Sequence, residues 1–438
     1  MARRTTNDHS TRLPPVPLAW LTWGLLASLY FVGFFQRVAP AVMVDELMRD
    51  FSIAATLLGN LSAIYFYTYA AMQIPSGLLA DAIGPRRVGA WAAIVAAVGI
   101  ALFALADSLW MAGVGRGLIG ASVAVAFVAC MKLAGHWFPA NRFATVTGIS
   151  LLIGNLGGVL AGVPLSEAVA GVGWRNAMLV SAAVTLVLAA FVRLWVRDDP
   201  SERGYASHAH PEALNETIMS PLQSLKLVIY ERDTWPLFFA GGLIAAPVLT
   251  FAGLWGVPWL VQVHGLERSH AAAFTTTMLL GFAVGGPLLG ALSDRIARRK
   301  LPYLGAALAH AACWVIFMLV DSPPDHVLHL LFAAIGFSAG GIIIGFAFSR
   351  EVNHPGAAGT VGGVVNMAVL GFAAIQQSAM GWILDRNWQG AMIEGARVYD
   401  AAAYHAAFRW LAISALGAVV FVTLTRETHC RLRFDSDA

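Results

Sequence analysis

The chain has 438 residues, 58% of them hydrophobic and 12% charged, with a mean hydropathy of +0.68 and a formal net charge of +3. A soluble protein of this length needs far more charge to cover its surface, so an aqueous globular protein is excluded. The near-neutral balance gives a nucleic-acid partner nothing to hold. Cys130, Cys313 and Cys430 are scattered and supply neither a disulfide framework nor a metal-ligand spacing, so no metal and no cofactor is expected.

In chain order, residues 1–17 form a polar arm carrying Arg3, Arg4 and Arg12. The arm has no short apolar core followed by a small-residue cleavage site, and it reads as cytoplasmic. Apolar runs of about twenty residues, the length a helix needs to cross hydrocarbon, then recur twelve times. Six fall within 18–197, near Leu18–Val42, Leu57–Ile83, Val88–Ala106, Leu109–Trp137, Ala144–Val172 and Ala177–Val196. Six more fall within 235–425, near Trp235–Val263, His270–Leu292, Leu301–Val320, Val327–Phe348, Gly359–Leu384 and Ala403–Leu424. Between them, 198–234 is a long polar loop, and 426–438 is a short tail.

Basic residues set the expected orientation. With the N-terminus inside, Arg49, Arg175, Arg268, Arg386 and Arg397 fall outside and Arg37, Arg116 and Arg409 fall within spans. The rest of the 28 Lys and Arg lie on or near cytoplasmic segments, and an even number of spans returns the C-terminus inside. The expected location is therefore an integral, multi-pass protein of a bacterial-type inner membrane, in contact with lipid, with no nucleic-acid partner and as a monomer.

The two halves repeat. After the second span stands Gly77-Leu-Leu-Ala-Asp81-Ala-Ile-Gly84-Pro-Arg86-Arg87, and after the eighth Gly290-Ala-Leu-Ser-Asp294-Arg295-Ile-Ala-Arg298-Arg299-Lys300. Internal repetition of this kind is a mark of transporter folds. Asp81 stands where a carboxylate can pair with Arg86 or Arg87 and face the positive N-terminus of a neighbouring helix. Gly77 and Gly84 allow close helix approach and a tight turn. The plainer alternative is that the arginines only obey the inside-positive bias.

Charges inside spans are costly unless they face a cavity or a partner. Arg37 lies near the outer end of the first span with Tyr30 on its face, and Arg116 lies in the outer part of the fourth. Lys132 is sixteen residues further along the same span. Two or three cations within spans, with no obvious partners in the sequence, point to an anionic, carboxylate-bearing solute, because a guanidinium forks onto a carboxylate. Against this stands snorkelling of Arg37 and Lys132 to the headgroups. Tyr65, Tyr69 and Gln73 share a helix face, and Asn366 and Gln376 of the eleventh span could complete a polar site, or only bond neighbouring helices.

The paired glycine-aspartate-arginine loops resemble the signature of the major facilitator superfamily. The resemblance covers essentially the whole chain and implies an all-α fold of twelve transmembrane helices in two pseudo-symmetric six-helix bundles. It further implies that Gly77, Asp81, Gly84, Arg86 and Arg87, with Gly290, Asp294, Arg298 and Arg299, form a gating motif in which Asp81 faces the start of the eleventh helix. Gln36-Arg37-Val-Ala-Pro40, Gln73-Ile-Pro75-Ser-Gly77, Arg116-Gly-Leu-Ile-Gly120, Trp137-Phe-Pro139 and Gly173-Trp174-Arg175 resemble the anion:cation symporter branch, which implies that Arg37 and Arg116 are cavity residues.

The same resemblance places acids where this chain has Gln36 and Val123. Other carboxylates, such as Asp45, Glu46, Glu351 and Asp385, fall at span ends or in loops, which leaves His310 as the one titratable candidate within a span. Proton coupling is therefore in doubt. The expected function is a secondary transporter moving a small polar, carboxylate-bearing metabolite by alternating access. An amino-acid or short-peptide facilitator without proton coupling is the alternative, and export of drugs or siderophores is a third. No nucleophile–base pair or metal constellation supports an enzyme, so no catalytic residue is expected.

Overall fold

The computed structural model describes residues 12–139, 142–208, 221–320 and 323–433. Eleven helices among these residues are long and apolar enough to cross a bilayer: Val16–Val42, Pro85–Ala104, Leu109–Trp137, Thr145–Val172, Trp174–Trp195, Thr234–His264, Arg268–Arg295, Lys300–Leu319, Asp325–Val352, Pro355–Arg386 and Ala401–Thr423. The twelfth, second in chain order, is Ala55–Ala71, carried on past Met72 into Gln73–Ile83. Their ends fall within about a turn of the apolar runs in the sequence. Apolar side chains such as Trp91, Val180, Leu288 and Ile413 remain more than half exposed along the spans, as expected where lipid, not water, is the solvent.

Several local features were not read from the sequence. A short helix, Val44–Asp50, links spans 1 and 2 and turns by 111° into the latter. Span 7 passes through a π-helical turn, Phe251–Trp255, just after Pro247 removes a backbone donor. The expected loop 198–234 contains a helix, Pro221–Tyr230, whose Leu225 and Val228 pack on Val361 and Val364 of span 11. The start of that loop is tied to the end of span 4: Asp199 accepts from Ser207 (2.7 Å) and lies 2.8 Å from His136, and the His208 N–H donates to the His136 carbonyl.

Each half closes its third helix against its sixth by the same reciprocal capping. In the first half the Asp198 carboxylate accepts the Arg86 N–H at 2.6 Å, at the positive end of span 3. The Arg86 guanidinium in turn donates to the Arg193 carbonyl, at the negative end of span 6. In the second half Glu427 accepts the N–H groups of Arg299 and Lys300 (2.8 and 3.0 Å), and the Lys300 ammonium reaches the carbonyls of Thr423 and Thr425. Opposite charges therefore sit on opposite helix ends in both bundles. Gly84 has φ +83°, and a Cβ there would lie 2.3 Å from Asp198, so only glycine admits this cap.

This geometry revises the reading of the motif. Arg86 is taken up by the end of span 6 and by Glu202 (3.9 Å), because two exposed carbonyl lone pairs and a carboxylate lie within its reach. The side chain of Asp81 lies outside the described residues. In the second half Asp294 binds Arg299 at 2.6 Å, and Glu351 binds the same guanidinium at 2.8 Å. Arg87 and Arg298 are exposed. Among the described residues a Cβ on Gly77 would meet nothing within 4 Å, and one on Gly290 only Ile343 at 3.6 Å. The close approach expected there is made at Gly84 instead.

The halves meet along spans 2 and 11, which run antiparallel. At the end away from the motif loops, called the far end here, the Asp385 carboxylate accepts the N–H groups of Ala55 and Thr56 (3.2 and 2.8 Å) and the Thr56 hydroxyl (2.5 Å). The C-terminal end of span 11 thus caps the N-terminus of span 2, and Tyr399 and Arg397 hold the carboxylate from its other side. Gly381 permits it, since a Cβ there would stand 2.2 Å from the Ala55 carbonyl. Arg268–Glu46 (2.5 Å), Gln262–Asp45 (3.1 Å) and Arg49–Glu394 (3.4 Å) add further bonds across the same rim.

Two outcomes follow from these caps. Losing the Asp385 cap costs about 0.5–2 kcal/mol. In a background with the three native cysteines replaced by alanine, Asp385→Ala therefore raises maleimide labelling of Leu58→Cys several-fold; equal labelling rates would show that the rim does not depend on this carboxylate. Burial pushes the Glu427 carboxyl up, but the N–H groups of Arg299, His429, Lys300 and Thr428 outweigh it and hold it below its ordinary range. Its stabilisation is then complete above the unfolded value of about 4.3 and is lost as pH falls through the depressed folded value. Glu427→Ala lowers the melting temperature in detergent at pH 7, and the gap to the parent closes in more acid buffer.

Candidate functional site

The expected site residues separate into a tight group in the first bundle and others placed elsewhere. Arg116 is 1% exposed. Its guanidinium donates to the Gln36 carbonyl at 2.7 Å and, more weakly, to the Ser62 carbonyl at 3.5 Å. The Gln36 carbonyl is available because the residue four places on, which would bond it in a continuous helix, is Pro40 with no N–H. The helix tightens there into the 3₁₀ turn Ala39–Val42. Arg116 therefore ties spans 1, 2 and 4 through backbone oxygens, and the gap it shares with Pro40, Leu58, Leu61 and Phe103 offers no room for a solute.

Arg37, at 7% exposure, is surrounded by aromatic faces. Its guanidinium carbon lies 4.3 Å from the ring centre of Phe34, 5.4 Å from Tyr69, 5.9 Å from Tyr65 and 6.0 Å from Phe66. Ring quadrupoles stabilise such a cation without neutralising it. Tyr65 stands between the two arginines: Arg116 lies 5.0 Å from its ring, and its hydroxyl donates to the Gly33 carbonyl at 2.8 Å. Tyr30 packs on Phe34 and Phe127 one turn away. The Nε of each arginine is buried without a hydrogen-bond partner. Among the described residues neither guanidinium has a carboxylate in reach, and the ionisable neighbours of Arg37 are Tyr65, Tyr69 and Tyr30.

Other expected members lie apart. Lys132 donates to the Ala80 carbonyl at 2.9 Å, at the motif-loop end of span 2; sixteen residues from Arg116 is about 24 Å along a helix, which separates it from the arginine pair. Asn366 donates to Gln73 at 2.9 Å, bonding spans 11 and 2 across the halves. Gln376 is bonded to Ser414 (2.6 Å) and Thr250 (3.5 Å) within the second bundle. His310 is fully buried, its Nε2 accepting from Trp314 at 3.1 Å and its Nδ1 facing the Ile335 carbonyl at 3.1 Å. An indole N–H can only donate, so this pattern requires the neutral ring with its proton on Nδ1.

Phe34 and Phe66, which sequence reasoning passed over, supply two of the four rings around Arg37. The signal was present: Phe34 precedes Arg37 by three residues, and Phe66 sits between Tyr65 and Tyr69. The π-helical turn of span 7 also comes close to span 1, where a Cβ on Gly253 would lie 3.9 Å from the Arg37 main-chain carbonyl and 3.4 Å from the Gln377 amide.

The two arginines differ in what they support. A lysine at 116 cannot fork onto two carbonyls from different helices, so Arg116→Lys costs about 1–3 kcal/mol of stability and lowers the melting temperature in detergent. Arg37→Lys keeps a cation within the aromatic cage and leaves melting nearly unchanged. The opposite ranking would show Arg37 to be the structural residue.

A profile described as the Major Facilitator Superfamily matches residues 26–377. A probable sulfoacetate transporter of Cupriavidus necator is 24% identical over 376 residues, covering 83% of this chain and 87% of that protein. A putative tartrate transporter of Agrobacterium vitis is 24% identical over 404 residues, covering 87% of each. A crystal structure of a bacterial homologue of the human lysosomal transporter Spinster, inward-facing and unoccupied, superposes with a TM-score of 0.71 at 19% identity, over 94% of this chain and 96% of that one. Its likeness concerns the fold. This chain is an integral, multi-pass membrane protein, a transporter and not an enzyme, and it belongs to the major facilitator superfamily.

Proposed function

We propose that the chain carries a small polar organic anion across a bacterial inner membrane by alternating access, as a monomer with both termini and the motif loops in the cytoplasm. The observation that carries this reading is the pair of buried guanidiniums in the first bundle, which have no carboxylate in reach among the described residues. A buried charge without a counterion is expensive, and the group that can compensate it is the solute. Arg37 is the residue that meets the anion, since its guanidinium lies among aromatic rings and tyrosine hydroxyls and has no carboxylate in reach among the described residues. Arg116 holds the site together. The names of the relatives, transporters of sulfoacetate and tartrate, agree with an acidic solute.

Alternating access finds support in the bonds between spans 2 and 11. The rim at the far end is closed by Asp385, while Gln73–Asn366 joins the same two helices nearer the motif loops. Rocking one bundle against the other breaks the first set and tightens the second, or the reverse. An amino acid or short peptide is the weaker reading. Its carboxylate could use Arg37, but its ammonium would meet the like charge of a second guanidinium with no acid in reach among the described residues.

The test is uptake into proteoliposomes holding the purified chain, with radiolabelled sulfoacetate, tartrate, galacturonate, glycine and a dipeptide. Saturable uptake of at least one acid, and none of glycine or the dipeptide, is expected. Removing one partner of a buried charge contact costs about 2–5 kcal/mol, so Arg37→Ala raises the half-saturating concentration at least about thirtyfold. Unchanged uptake by Arg37→Ala would remove the assignment of the site.

A further inference from the structure

We propose that this carrier works by exchange: it crosses readily with an anion bound in either direction, returns slowly when empty, and moves no proton with its solute. The inference rests on the transport reading above and adds to it the mode of transport.

The argument starts from what can change charge at the site. An arginine stays protonated at any physiological pH. Around Arg37 and Arg116 stand Tyr30 and Phe34 of span 1, Tyr65, Phe66 and Tyr69 of span 2 and Phe103 of span 3, with the π-helical turn of span 7 near the Arg37 main chain. None of these side chains gains or loses a proton near neutral pH. The two positions at which the resemblance to the anion:cation symporter branch places acids hold neutral groups that are already engaged. The Gln36 amide donates to the Ser181 hydroxyl of span 6 at 2.9 Å, and Val123 is fully buried against Gly33, where a Cβ would approach it to 3.2 Å. In the second bundle His310 is held in its neutral form by Trp314 and the Ile335 carbonyl.

At the far end the carboxylates Asp45 and Glu46 belong to the rim and are held by Gln262 and Arg268 across the halves. Burial and the adjacent Glu46 raise the affinity of Asp45 for a proton. A proton taken there while the rim opens leaves to the same side when it opens again, so it adjusts gating without crossing the membrane.

The site therefore keeps the same positive charge whichever way it faces. Passing between the two faces requires a moment when the site is shut from water on both sides. An empty carrier then holds a guanidinium with no counter-charge beyond ring quadrupoles, at a cost of several kcal/mol per ion. A loaded carrier presents a carboxylate to the same guanidinium and avoids most of that cost. Every 1.4 kcal/mol of difference is tenfold in rate, so the loaded return outruns the empty one by tenfold or more. Exchange of like-charged anions is electroneutral, and the direction follows the two solute gradients.

The experiment uses the full-length chain in proteoliposomes with radiolabelled galacturonate and, separately, tartrate as probes. Initial uptake is compared between vesicles preloaded with the same unlabelled acid and vesicles without it, the latter under an inward proton gradient with the membrane potential clamped. Uptake at least tenfold faster into preloaded vesicles, and insensitive to a protonophore, is the expected result. Equal rates in the two arms, or accumulation that a protonophore abolishes, overturns exchange while leaving transport intact. No flux of either probe in any arm overturns the transport reading and exchange with it. Gln36→Glu supplies an acid one residue from Arg37 at nearly unchanged volume. Its empty-vesicle uptake rises towards the exchange rate and becomes sensitive to a protonophore. A Gln36→Glu chain with parental melting and an unchanged ratio between the arms defeats the charge argument.

Discussion

The structure depends most on how two guanidiniums are accommodated inside an apolar bundle without an acid. Arg116 is satisfied by backbone oxygens, and that is possible because Pro40 leaves the Gln36 carbonyl unclaimed at the end of span 1. The bond draws spans 1, 2 and 4 together and sets Tyr65 between Arg116 and Arg37. Arg37 then occupies a cage of rings, which tolerates its charge but leaves it electrically open. A carboxylate beside either would stabilise the empty protein and, on the proposed reading, would compete with the anion for Arg37.

Helix ends organise the rest by the same economy of partial charges. In both bundles an acid just beyond the sixth helix caps the start of the third, and a cation at that start caps the end of the sixth. This makes each bundle a closed unit and fixes the motif loops between its second and third helices. On the alternating-access reading rigid bundles matter, because a rocking motion between halves is efficient only if each half keeps its own shape.

Much of this was legible in the sequence and some was not. Twelve apolar runs and the repeated loops disclosed the fold, because hydrophobic length and internal repetition are one-dimensional properties of the chain. Arg37 and Arg116 stood out for the same reason, as charges within apolar runs. Their different roles did not, since the partners of Arg116 are main-chain oxygens that any residue carries. Lys132, Asn366 and Gln376 sit on suitable helices but are turned to the end of span 2, to Gln73 and to Ser414. Rotation about a helix axis and the meeting of residues hundreds of positions apart, such as Asp385 with Thr56, are set by packing that no spacing rule encodes. The linker helix Pro221–Tyr230 was missed because its ten residues lie in a stretch whose overall composition is polar.

The relation between spans 2 and 11 carries a further consequence. They are antiparallel, so at each end of the pair the C-terminus of one helix lies beside the N-terminus of the other. At the far end an acid near the C-terminus of span 11, Asp385, caps the N-terminus of span 2. At the motif end Gln73 and Asn366 bond the same two helices. On the alternating-access reading a rotation that separates one end brings the other together, and a solute bound at Arg37 shifts the balance only by its differential affinity for the two states.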